Sequence, residues 1–137
     1  MGLIHLDAGV IIAFLDRDDS HHDAARATLS NALDCSDRLS IAASALAECL
    51  VGPARHDPKA MELVRTVVDR LPVSVVELNA EVATQAAVLR AGHRSLKLPD
   101  ALVIATAATS GAGHLITTDR KWPTAKAMKL TVIIEQI

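Results

Sequence analysis

Aromatic side chains are almost missing from this chain. Phe14 and Trp122 are the only two in 137 residues, and there is no tyrosine. A base-stacking platform of the kind used by many single-strand RNA binders is therefore excluded. Cysteine is scarce as well: Cys35 and Cys49 stand singly, without C-x-x-C spacing. The expectation is two reduced, buried thiols in a cytosolic protein, not a disulfide. No apolar run is long enough to span a bilayer, since Asp7, Asp100, Gly111 and Asp119 cut the longest ones. The N-terminus has no basic flank followed by a small-residue cleavage site, so no signal peptide is read there. Neither G-x-G-x-x-G nor G-x-x-x-x-G-K-[ST] occurs, which removes the main support for a nucleotide-binding fold. An excess of basic charge is also absent: 14 Lys and Arg face 16 Asp and Glu, for a net charge of −2. Charge alone gives no sign of nucleic acid. If the protein handles it, the grip must be on the backbone, through metal ions or scattered arginines.

What the chain does have is apolar sequence with regular punctuation. Half of its residues are hydrophobic, which suits one domain over residues 1–137 with a real core. "GLIHLD" reads as a short buried strand over 2–6, and "AGVIIAFLD" as a short helix after it. Ser20 is a candidate N-cap for a helix over 20–33 carrying Ala25, Leu29, Ala32 and Leu33. "RLSIA" reads as a strand, and "SALAECLVG" as a helix stopped by Gly52-Pro53. Asp57-Pro58 opens a helix with a stripe of Leu63, Val64, Val67, Val68 and Leu71, ended by Pro72. "VSVVEL" is a strand, and Asn79 caps a helix with Val82, Ala86 and Leu89 inward, closed by Gly92. Residues 99–110 form a helix apolar nearly all round, hence buried; "GHLITT" and "LTVIIE" complete the strands. Strands alternating with helices predict an α/β fold with a parallel sheet and helices on both faces.

Four acids interrupt this pattern. Asp7 follows the first strand, Glu48 lies within about two turns of the start of its helix, Asp100 begins the buried helix, and Asp119 follows "GHLITT". Ligands of an open parallel sheet sit outside the carboxyl ends of its strands. All four acids can face that edge. Each also has a local explanation. Asp7 caps a helix, Asp100 suits the positive end of a helix dipole, and Asp119 opens a turn in "TTDRKW". Glu48 resists such an explanation best. Ala45, Leu46, Ala47, Cys49, Leu50 and Val51 around it are apolar, and no Lys or Arg stands three or four residues away. A buried unpaired carboxylate is costly. Four carboxylates gathered at one edge become tolerable around a divalent cation, and all-oxygen ligation selects Mg²⁺ or Mn²⁺. Such a site suits phosphoryl chemistry.

The order "LDAGVIIAFLD", "SALAECLVG", "LPDALVIATA", "LITTDRKW" resembles a PIN-domain ribonuclease, and more narrowly the VapC-type toxins of bacterial toxin–antitoxin pairs. The resemblance spans essentially the whole chain. It implies a three-layer α/β/α sandwich and Mg²⁺- or Mn²⁺-dependent endonuclease activity on RNA. It implies that Asp7, Glu48, Asp100 and Asp119 are the catalytic and metal-binding quartet, and that Thr117 is the hydroxyl residue that helps orient the site. A homodimer and a small antitoxin partner that blocks the site are implied too. The chain departs from the family after Asp7, where many relatives carry Ser, Thr or Asn and Ala8-Gly9 stand here.

Competing assignments fit less well. A haloacid-dehalogenase phosphatase needs a second Asp two positions after the first, and position 9 is Gly. A response-regulator receiver needs paired acids near the end of the first strand, and Asp16 and Asp18 lie beyond a helix. A non-catalytic binding module on the same scaffold would be expected to lose some of the acids, and none is lost. His21-His22 suit a solvated helix start better than a metal, because adjacent helical residues point apart. His5, His56, His93 and His114 are isolated. Arg17, Arg94, Lys97, Arg120 and Lys121 flank the proposed edge and are candidates for RNA-phosphate contacts. The helices at 20–33 and 57–71 offer surfaces for an antitoxin helix.

Overall fold

A computed structural model describes residues 2–137. The chain runs β1 (Leu3–Leu6), α1 (Ala8–Leu15), α2 (His22–Asp34), β2 (Arg38–Ala42), α3 (Ala43–Ala54), α4 (Pro58–Arg70), β3 (Val73–Val76), α5 (Ala80–Gly92), α6 (Leu98–Thr109), β4 (His114–Thr117) and β5 (Ile133–Gln136). The five strands form one sheet in the order β3-β2-β1-β4-β5, and every pairing is parallel. Helices flank it in a three-layer α/β/α sandwich: α1 packs on α2 and α3, α3 on α4, and α5 on α6. The centre of the core is aliphatic, with Leu6, Ile11, Leu39, Ile41, Ile104 and Leu115 fully buried.

This strand order sets the position of the site. From β1 the chain steps one way to β2 and β3, then returns to place β4 on the other side of β1. The boundary between β1 and β4 is thus a topological switch point, where a crevice opens at the carboxyl ends. Asp7 immediately follows β1, and Asp119 follows β4 after one residue.

Several local expectations hold in detail. Asp57 accepts from the Ala60 amide at 2.8 Å and Asn79 from the Val82 amide at 2.9 Å, both as N-caps. In α6, Ala101 and the run Val103–Ala107 are buried. Others need correction. Helix α2 starts at His22 with His21 at the cap position, and Ser20 caps nothing; its hydroxyl lies 3.3 Å from His21 Nδ1. Helix α3 does not stop at Gly52-Pro53 but runs to Ala54. Pro53 has no amide to give the Cys49 carbonyl, so α3 lacks one bond in its last turn and ends one residue later. Strand β3 ends at Val76, and β5 starts at Ile133, later than the run "LTVIIE" indicated. Only Val64 and Val68 of the α4 stripe are buried; Leu63 is 64% exposed. Leu33 is likewise exposed, as is Cys35, whereas Cys49 is buried and both thiols are free. Among the described residues, no helix is long and apolar enough to cross a membrane.

A carboxylate cluster at the switch point

Asp7 sits at the N-cap of α1 and is nearly buried. Its Oδ1 accepts the Ala8 amide at 2.8 Å. Its Oδ2 accepts from the Thr117 hydroxyl at 2.8 Å. Thr117, the last residue of β4, is fully buried, and its Oγ1 in turn accepts the Asp119 amide at 3.0 Å. One hydroxyl therefore ties the two strand ends together. Asp119 Oδ1 accepts the Lys121 amide at 2.7 Å, so the acid does open the turn in "TTDRKW". Local punctuation and membership of the cluster are compatible: one oxygen serves the turn and the other remains available.

Asp100 lies in the first turn of α6, whose own cap residue, Lys97, makes no side-chain cap bond. The helix dipole favours a negative charge there. The indole of Trp122 and the Lys97 ammonium also favour the ionised form, yet burial and the charge of Asp119 outweigh them and raise its pKa. Burial raises the Asp7 pKa too, against its two hydrogen bonds, and the charges of Asp100 and Asp119 add to the rise. The Glu48 pKa is raised as well, by partial desolvation of a side chain that remains exposed, then by the charges of Asp7 and Asp100. Asp7 and Asp100 therefore feel the charge of Asp119, and Glu48 feels those of Asp7 and Asp100.

Glu48 corrects the sequence expectation in one respect. It is exposed, because the apolar side of α3 is formed by Ala45, Leu46 and Cys49, which leaves Ala47, Glu48 and Val51 outward. An apolar neighbourhood in sequence did not mean burial in space. Its place in the cluster rests on position: α3 touches both α1 and α6, so Glu48 faces the Asp7 and Asp100 edges. Among the described residues, no three His, Cys, Asp or Glu side chains are drawn into a ready coordination shell.

Three features of the site are not marked in the sequence. Gly9 is needed for close approach: a Cβ there would meet the Thr118 hydroxyl, so α1 packs directly on the loop after β4. Trp122 is buried, and its indole N–H completes no hydrogen bond. A cavity of about 530 Å³ opens beside Asp100 and Asp119, lined also by Lys97, Arg120, Lys121 and Trp122. Arg17 lies elsewhere, beside Phe14 and His22. Three histidines take structural roles, while His21 lines the cavity beside Asp100. His5 is fully buried with Nδ1 2.8 Å from the Ser40 hydroxyl, His22 lies 2.8 Å from the Ala13 carbonyl, and His114 pairs with Glu135 at 2.8 Å.

Comparison with known proteins agrees with this geometry. The family model for the PIN domain matches residues 4–127. Among solved structures, that of VapBC2 from Rickettsia felis, bound to a DNA fragment from its promoter, superposes with a TM-score of 0.72 at 17% identity, covering 98% of each chain. VapBC-1 from nontypeable Haemophilus influenzae gives 0.71 at 16% identity, covering 98% of this chain and 97% of that one. VapC20 from Mycobacterium tuberculosis, a sarcin–ricin loop cleaving toxin, gives 0.69 at 18% identity, with 86% and 91% covered. No curated protein sequence matches the chain. With the family model spanning nearly all of its length and the acids meeting at the sheet's switch point, the chain belongs to the PIN-domain family.

Proposed function

We propose that this protein is a divalent-metal-dependent endoribonuclease, the toxin of a toxin–antitoxin pair, with Asp7, Glu48, Asp100 and Asp119 as its site. The observation that carries this proposal is geometric: Thr117 bonds both Asp7 and the Asp119 amide where β1 and β4 end side by side, and the charges of Asp7, Asp100 and Asp119 reach one another there. Acids that only cap helices need not converge. An all-oxygen donor set of this kind fits Mg²⁺ or Mn²⁺, which would relieve the repulsion. A bound divalent ion would supply charge neutralisation at the phosphodiester and a water of lowered pKa.

The chain's own residues do the rest. Thr117 holds one oxygen of Asp7 and the amide of Asp119, and so fixes the separation of β1 and β4 at their carboxyl ends. Asp100 enters from the opposite helical layer, at the first turn of α6. With almost no aromatics, the protein grips RNA by its backbone and not by its bases.

A partner surface lies next to the site. An apolar hollow of about 350 Å³ between α1, α3 and α4 is lined by Ile12, Leu15, Pro53, Leu63 and Val64, with Glu48 at its border. Leu63 and Ile12 are 64% and 40% exposed. A short amphipathic antitoxin segment would cover them and at the same time approach the carboxylates. The solved neighbours include a toxin–antitoxin complex from Klebsiella pneumoniae. The family likeness carries with it a homodimer, which light scattering would test.

The decisive experiment is cleavage of bulk RNA by purified protein in Mg²⁺ or Mn²⁺, in EDTA, and with Asp100→Asn. Activity that needs the metal and falls by orders of magnitude in the variant supports the proposal. Full activity in EDTA or in Asp100→Asn overturns it.

A further inference from the structure

The cavity beside Asp100 and Asp119 has a lining of mixed charge. The two carboxylates share it with Lys97, Arg120 and Lys121. All three cations are exposed, and among the described residues none forms an ion pair within 4.0 Å. The cavity also has a buried donor. Trp122 is only 8% exposed, and its Nε1 is near enough to favour ionised Asp100 without completing a hydrogen bond of good geometry. Indole N–H is a donor only, and leaving one buried and unpaired costs about 1–3 kcal/mol. The site thus offers a buried N–H and unpaired cations a short way from acids that suit a divalent ion. A metal alone answers only the carboxylates. A phosphate alone would be repelled by them. A phosphate next to a metal answers both.

Resting on the nuclease reading above, we propose that this cavity is the subsite for one backbone phosphate of the RNA, adjoining the scissile one, with Lys97 and Arg120 as its charges and the Trp122 N–H as its buried donor. The substrate strand then leaves the carboxylates on the α6 and β4 side, away from the apolar hollow between α1, α3 and α4. A volume of about 530 Å³ lies within the usual range of small-ligand sites.

The test is equilibrium binding of a short fluorescent RNA, with Ca²⁺ in place of Mn²⁺ and RNA integrity checked on a gel. Lys97→Gln and Arg120→Gln should each weaken binding several-fold and lower the slope of log Kd against log salt by about 0.7, the value for one single-strand phosphate contact. Trp122→Phe, which keeps the apolar ring, should weaken binding several-fold and leave the slope unchanged. Arg38→Gln, at the opposite edge of the sheet, should alter neither. Melting curves in EDTA show that each variant is folded. Wild-type affinity and slope in both charge variants would overturn the subsite. So would a Trp122→Phe protein with normal RNA affinity but a weaker melting response to Mn²⁺, since the indole would then serve Asp100 alone. Neither result touches the nuclease proposal, which falls only if cleavage survives EDTA or Asp100→Asn.

Discussion

The Thr117 hydroxyl donates to Asp7 Oδ2 at 2.8 Å across 110 residues of sequence, inside the protein. Asp7 thereby differs from an ordinary N-cap, whose side chain bonds the second or third helical amide. Here one oxygen takes the first amide, that of Ala8, and the other is committed to a different strand. The acid is oriented by tertiary structure more than by its own helix.

Thr117→Val should therefore be costly despite its matched shape. It leaves an Asp7 oxygen and the Asp119 amide without their partner, at a loss of about 1–3 kcal/mol. Cleavage should fall at least tenfold, and Thr117→Ser should restore most of both. Melting curves and RNA cleavage rates check this; equal behaviour of Val and Ser would show that the hydroxyl is idle.

The repulsion among the acids is best tested at Asp100. Asp7→Asn stabilises the metal-free protein only after offsetting a disturbed pair of hydrogen bonds, because one amide oxygen cannot accept from both Ala8 and Thr117. Asp100 has no such double commitment. Asp100→Asn should raise the melting temperature in EDTA, with an upper bound of about 1 kcal/mol before solvent screening reduces it. It should also shrink the gain on adding Mn²⁺. A variant that is less stable in EDTA and gains as much from Mn²⁺ as wild type would remove Asp100 from the cluster.

Gly9→Ala separates packing from helix propensity. Alanine favours the helix by about 1 kcal/mol, but its Cβ meets the Thr118 hydroxyl, so Thr118 must turn beside Asp119. Stability should change by less than about 1 kcal/mol, while cleavage falls several-fold. Unchanged cleavage would show that the loop after β4 absorbs the methyl freely.

The pH dependence of stability has two opposed sources. Burial lowers the His5 pKa from 6.5 to about 4. Between those values the unfolded chain binds a proton that the folded chain refuses, so stability present above pH 6.5 is lost as pH falls to about 4. The full loss is on the order of 3 kcal/mol, taking 1.36 kcal/mol per pKa unit. The raised pKa values of Asp7, Glu48 and Asp100 act the other way: the folded state takes up protons first, and stability is regained as pH falls through them. Replacing His5→Leu together with its partner Ser40→Ala should flatten the loss or reverse it. Denaturant melts from pH 7 to pH 4 measure it, and an unchanged acid limb would exclude His5 as the cause.

Leu63→Asp should leave RNA cleavage intact and weaken capture by the co-expressed antitoxin at least tenfold. Leu63 is mostly exposed and lines the apolar hollow, not the carboxylate cavity. Undiminished complex formation would move the partner to another face.

Much of the fold is set by local rules, and these are legible in the sequence. Asp57-Pro58 and Asn79 announce helix starts by supplying an acceptor to free amides, and they do so without help from distant residues. Alternating strands and helices fix a parallel sheet, and the position of Asp7, Asp100 and Asp119 relative to those elements fixes the edge on which they lie. Glu48 shows where this stops. Its apolar neighbours suggest burial, but exposure depends on which side of α3 meets the rest of the protein, and that is decided by packing. Ser20 and Pro53 show the same limit at helix ends, where a strong local signal yields to where the chain must go next. The Thr117–Asp7 bond, the approach of Gly9 to Thr118 and the buried N–H of Trp122 beside Asp100 are products of tertiary structure alone. The first two join residues far apart in the chain, and only the return of the chain to lay β4 against β1 brings them into contact; the third depends on how the loop after β4 folds back on α6.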